Sequence, residues 1–95
     1  MTYANYLELF NYVLTHGEKK GNKTYLDNLA AWHEIDGYTC YLSDNNVILT
    51  LLFHSRFTFE YQDQTSLTTF QKEASKVFSS MTQQRVNKHK DDHNE

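Results

Sequence analysis

Proline is absent from the chain and cysteine occurs once, at Cys40. The missing proline is compatible with regular elements throughout and decides nothing by itself. A lone cysteine rules out an intrachain disulfide, and an unpaired thiol points to a reducing compartment, so a cytoplasmic protein is expected. Long apolar runs are also missing. The longest cluster, Val47 to Phe53, falls far short of the ~20 residues of a membrane helix, and no membrane association is expected. The segment Met1-Thr2-Tyr3-Ala4-Asn5 has neither the basic region nor the apolar core of a signal peptide. Gly-x-Ser-x-Gly, Gly-x-Gly-x-x-Gly and Walker loops do not occur, so no enzyme and no cofactor are expected. Nor is there an excess of positive charge. Nine Lys and Arg stand against twelve Asp and Glu, giving a net charge of −3 and a pI near 5.9. That balance argues against a phosphate-binding footprint and makes nucleic acid a poor partner.

What is present is an apolar fraction of 39%, with 15% aromatic residues, in 95 residues. This is too apolar for a disordered chain and the right size for one domain. So small a domain buries only roughly 60–65% of its unfolded surface, which makes self-association a natural route to further burial.

Residues Trp32 to Tyr61 alternate almost without a break and read as an antiparallel meander. Asp36-Gly37 predicts a two-residue type I′ turn between Ala31–Ile35 and Tyr38–Leu42, opposing Ile35 to Tyr38, His33 to Cys40, and Trp32 to Tyr41. Ser43-Asp44-Asn45-Asn46 is the next turn and predicts Leu42 opposite Val47 and Cys40 opposite Leu49. A turn at His54-Ser55-Arg56 predicts Phe53 opposite Phe57 and Leu51 opposite Phe59, although a single bent strand from Val47 to Tyr61 would keep the same alternation. One face then collects Leu29, Ala31, Ile35, Tyr38, Cys40, Leu42, Val47, Leu49, Leu51, Phe53, Phe57, Phe59 and Tyr61, with His33 as its polar member. The other collects Trp32, Glu34, Thr39, Tyr41, Ile48, Thr50, Leu52, Thr58 and Glu60.

A helix is expected on each side of this meander. Thr2 is a candidate N-cap, followed by Tyr3, Tyr6, Leu7, Phe10, Val13 and Leu14 at helical spacing. Leu9 and Tyr12 widen that face, so the helix is expected to touch more than the sheet. His16 and Gly17 form its stop signal. Glu18 to Lys23 reads as a polar connector, and Thr24-Tyr25-Leu26 as a possible short edge strand. After caps at Asp63 or Thr65, a second helix presents Leu67, Phe70, Ala74, Val77, Phe78 and Met81. The expected fold is therefore α+β: a three- to four-stranded antiparallel meander with both helices packed on one face. Residues 1–82 form the domain, and 83–95 are expected to be a frayed helix end and a disordered polar tail.

Candidate chemistry is sparse. His33 and Cys40 face each other and supply two ligand types for zinc, or a histidine-activated thiol. Two ligands do not make a structural zinc site, and buried free cysteine is commonly inert. His54 and Arg56 bracket the third turn and are candidates for a small anion, although a polar turn explains them equally. His89, Asp91, Asp92 and His93 are a loose ligand cluster in the tail, where ordering entropy weakens binding.

The second sheet face is the better lead. If both helices cover the other side, Trp32, Tyr41, Ile48 and Leu52 form an apolar group rimmed by Thr39, Thr50, Thr58, Glu34 and Glu60, the composition of an interface. The leading expectation is a non-catalytic interaction protein, a homodimer through this face or a module for an unidentified protein partner. The alternative is a ligand- or nucleic-acid-binding module stacking bases on Trp32 and Tyr41, against which the expected lack of Arg and Lys on the face counts. A small metal protein or enzyme built on His33, Cys40 and His54 ranks third.

His16-Gly17-Glu18, Asp36-Gly37-Tyr38-Thr39 and Phe53-His54, at this spacing, resemble a domain-of-unknown-function family of short gammaproteobacterial proteins. The resemblance covers roughly Leu9 to Phe78. It implies a bacterial cytoplasmic protein and, since the family has no assigned activity, carries over no site residues.

Overall fold

The computed structural model describes the backbone of residues 1–93 and the side chains of residues 1–84. Helix α1 (Tyr3–His16) precedes strands β1 (Glu18–Lys20), β2 (Lys23–Leu26), β3 (Leu29–His33), β4 (Cys40–Ser43), β5 (Ile48–Leu52) and β6 (Arg56–Glu60), and helix α2 (Gln64–His93) follows. The strands form one six-stranded antiparallel meander in chain order. The architecture is thus the expected α+β sandwich, with six strands where three to four were expected.

Strand β1 falls in the segment that reads as a polar connector, and β2 is the possible edge strand Thr24-Tyr25-Leu26 begun one residue earlier, at Lys23. Glu18, Lys19 and Lys20 are all exposed, so β1 carries no apolar alternation to announce it. The turn at Gly21-Asn22 has positive φ (66°) only at its first central residue, the pattern of a type II′ hairpin.

Register departs from expectation in an instructive way. Around Asp36-Gly37 the expected pairs Trp32 opposite Tyr41 and His33 opposite Cys40 hold, whereas Ile35 and Tyr38 lie beyond the paired strands. The turn is not type I′, however, because Gly37 has positive φ and Asp36 does not. Instead the Gly37 amide donates to the Glu34 carbonyl, and the Asp36 carboxylate accepts from the Tyr38 amide. The next two hairpins are each slipped by two residues. Leu42 opposes Leu49, Cys40 opposes Leu51, and Leu51 opposes Phe57. In the first, the Asp44 side chain accepts from both the Asn46 and Val47 amides, which places the turn later than the cluster Ser43–Asn46 suggested. In the second, His54 and Ser55 both take positive φ, closing a hairpin rather than a bent strand. A slip of two keeps every side chain on its face, so the assignment of faces survives.

Both helices lie on the Ala31–Leu42–Leu49 face. The Thr2 hydroxyl caps α1 by accepting from the Asn5 amide, and the Asp63 carboxylate caps α2 by accepting from the Ser66 amide. Tyr6, Leu9, Phe10 and Val13 of α1 join Leu67, Phe70, Ala74 and Val77 of α2 over Leu29, Ala31, Leu42, Val47, Leu49 and Leu51. Leu9 is fully buried, and α1 packs on α2 as well as on β2 to β5, as the widened face led us to expect.

The core does not extend to the end of the sheet. Leu51 is 1% exposed, but Phe57 beside it is 37% exposed, Phe53 60% and Tyr38 66%, while Ile35 is fully exposed. Tyr61 is exposed too. These five were expected on the core face. For Ile35, Tyr38 and Phe53 the correction is one of reach, because the hairpin tips carry them past the helical layer; Phe57 packs on Tyr6 at the margin of that layer, and Tyr61 lies just beyond β6, where the chain turns toward α2. At the tips Tyr38 and Phe53 pack ring to ring at 5.5 Å. The backbone of α2 continues past residue 82, where the domain was expected to end. The expected tail and its His89, Asp91, Asp92, His93 cluster lie, from residue 85, outside the residues whose side chains are described.

Candidate functional site

The open face of the sheet is laid out in three rows that cross the strands. Cross-strand partners share a face, so the pairings define the rows directly. The first row is Glu18, Tyr25, Ala30, Ser43, Ile48 and Glu60. The middle row begins with the pair Lys20 and Lys23 and includes Trp32, Tyr41, Thr50 and Thr58. The third row contains Glu34 and Thr39, joined by a backbone hydrogen bond, and the pair Leu52 and Arg56.

The middle row is a continuous stack. Trp32 and Tyr41 lie nearly parallel with centroids 5.1 Å apart. Lys23 Nζ sits 4.3 Å from the centre of the Trp32 ring, a cation–π contact. Since β2 and β4 flank β3, the indole is held between Lys23 on one side and Tyr41 on the other. The Tyr41 hydroxyl donates to Glu34 Oε1 at 2.7 Å. That bond, with burial and the surrounding carboxylates adding to it, pushes the Tyr41 phenol above its ordinary pKa.

The four residues expected to form an interface, Trp32, Tyr41, Ile48 and Leu52, therefore share this face and are each half-buried by their neighbours. Ala30 and Ser43 lie between the larger Tyr25 and Ile48, and shallow depressions meet there, lined by Lys23, Ser43, Asp44 and Asn45. The face does carry cations. Lys20, Lys23 and Arg56 all lie on it, correcting the expectation that it has none. Two of the three, Lys20 and Lys23, came from the segment that reads as a polar connector.

The other candidates separate in space. His33 and Cys40 are cross-strand neighbours, as expected. The His33 ring is exposed and its Nδ1 lies 2.8 Å from the Glu34 carbonyl, to which it donates. Cys40 is half-buried against the core, and burial, then the Asp36 carboxylate, raise its thiol pKa. A raised pKa means less thiolate, the opposite of what a nucleophile or metal ligand needs. Among the described residues no three His, Cys, Asp or Glu side chains gather as a metal site. The His54 ring rests on Phe53 at 4.1 Å, at the tip of the hairpin, whereas Arg56 stands beside Leu52 on the open face. No described helix is long and apolar enough to cross a membrane.

Comparison with curated proteins and with solved structures found no match. A family model does match, over residues 1–84, which takes in α1, all six strands and α2 as far as its last described side chain. The chain belongs to the family described as Protein of unknown function (DUF3081).

Proposed function

We propose that this chain is a small non-catalytic interaction module that pairs with a second copy of itself through the open face of its sheet. The observation that carries this reading is the placement of both helices on one side. Trp32, Tyr41, Ile48 and Leu52 are left on the other side with no layer over them among the described residues. A sheet with one helical layer and one apolar open face is completed by a second layer, and the same face of another copy supplies one. Glu34, Thr39, Thr58 and Glu60 give the patch a polar rim, while Thr50 lies within it between Ile48 and Leu52. A cytoplasmic location suits the free Cys40 thiol.

Sedimentation tests the reading. The wild type should run as a dimer at about 100 μM, a concentration well above the dissociation constant of a specific pair. Ile48→Lys should run as a monomer with an unchanged far-UV spectrum. A monomeric wild type would sink self-association.

A second reading, stacking of nucleobases on the face, draws support from Lys20, Lys23 and Arg56. Against it stand the two ring faces of Trp32, already occupied by Lys23 and Tyr41, and the flanking Glu18, Glu34 and Glu60. Trp32 is the only tryptophan, so its fluorescence during an oligonucleotide titration separates the two readings.

A further inference from the structure

The three rows of the open face constrain how a second copy can sit on it, and we infer that the two-fold axis runs across the strands, along the middle row. This inference rests on the self-association proposed above.

Two sheets packed face to face with their strands nearly aligned, around a two-fold axis, have that axis lying between them, either close to the strand direction or close to the direction across it. An axis across the strands keeps the strand order and exchanges the first row with the third. Ile48 then meets Leu52 of the partner subunit, and Glu60 meets Arg56 of the partner subunit. Each contact occurs twice, and Trp32 and Tyr41 lie about the axis itself. An axis along the strands does the reverse. It sets Glu18 against Glu60 of the partner subunit and carries Arg56 out beyond the Gly21-Asn22 turn, where no acidic residue faces it. Charge complementarity therefore selects the first arrangement.

Lys20 and Lys23 would approach their own copies in that arrangement, which opposes it. They lie at the β1 edge of the face, where long lysine side chains keep their charged heads in water. Lys23 is in addition drawn back over Trp32. Strands about 4.8 Å apart make the face roughly 25 Å wide, and five residues at about 3.4 Å make it roughly 17 Å long, a flat footprint of about 400 Å² that side-chain relief enlarges and that sits at the small end of specific interfaces.

Charge reversal with complementation tests the axis. Arg56→Glu places two pairs of carboxylates together, and Glu60→Arg places two pairs of guanidinium groups together. Each variant alone should weaken self-association at least about tenfold in sedimentation. An equimolar mixture of the two should regain the dimer, because both contacts in the mixed pair are again of opposite sign. Far-UV spectra confirm that each variant is folded. A wild-type dimer that tolerates both reversals, or a mixture that stays monomeric, overturns the axis while leaving self-association intact. A wild type that is monomeric at about 100 μM overturns both.

Discussion

Gly17 lies against the backbone of Tyr25: a Cβ placed on it would come within 2.5 Å of the Tyr25 carbonyl oxygen and 2.6 Å of that of Val13. Its backbone is extended, with φ −82° and ψ 178°, so glycine is required here by proximity and not by a left-handed conformation. The contact seats the end of α1 on β2 and begins the six-stranded sheet.

Gly17→Ala should therefore destabilise the fold by about 1–3 kcal/mol, the usual cost of forcing a methyl group into a packed site. Gly21 has open space around it and a φ of 66°. Gly21→Ala should lose about 1 kcal/mol, through backbone strain alone. Urea titrations of the two variants compare them directly, and an equal or reversed ranking would contradict the close approach.

The end of the core falls between Leu51 and Phe53. Leu51→Ala should cost about 2–5 kcal/mol, because it opens a cavity beneath α1. Phe53, though larger, is 60% exposed, and Phe53→Ala should change stability by about half a kcal/mol. A loss of less than about half a kcal/mol at Leu51 would mean that the two faces are reversed.

Alkaline pH should destabilise the protein. Burial, assisted by Asp36, raises the Cys40 thiol above its ordinary 9.0, so the folded chain keeps its proton after the unfolded chain has lost it. That stability is complete below the unfolded pKa and disappears as pH rises through the folded one. The denaturation midpoint should therefore fall from about pH 9 upward, and Cys40→Ala should flatten the first part of the fall. Tyr6, raised by burial, and Tyr41, raised first by its bond to Glu34, extend the fall to higher pH. Thiol reagents should label native Cys40 slowly, and rapid labelling at neutral pH would contradict the raised pKa.

Much of the fold is local and was legible in the residues themselves. Helical spacing in Tyr6, Phe10 and Val13 and in Leu67, Phe70, Ala74 and Val77 marks the two buried stripes, and Thr2 and Asp63 mark where the helices start. Alternation marks which sheet residues share a face. That property survived two hairpins misregistered by two residues, because a period of two is indifferent to such a slip. For the same reason Trp32, Tyr41, Ile48 and Leu52 could be placed together before the strands were aligned.

Tertiary structure alone decided the rest. The exposed, charged β1 strand has no burial to imprint a pattern on its sequence, so it became visible only once paired with β2. With that hairpin came Lys20 and Lys23, and the sandwiching of Trp32 between a cation and Tyr41. How far the helical layer reaches is likewise a relation between elements distant in sequence. Phe53 and Leu51 have the same parity and similar hydrophobicity, yet one is exposed and the other buried because the helices cover one and stop short of the other. Periodicity specifies the face on which a side chain lies; only the packed layers determine what covers it.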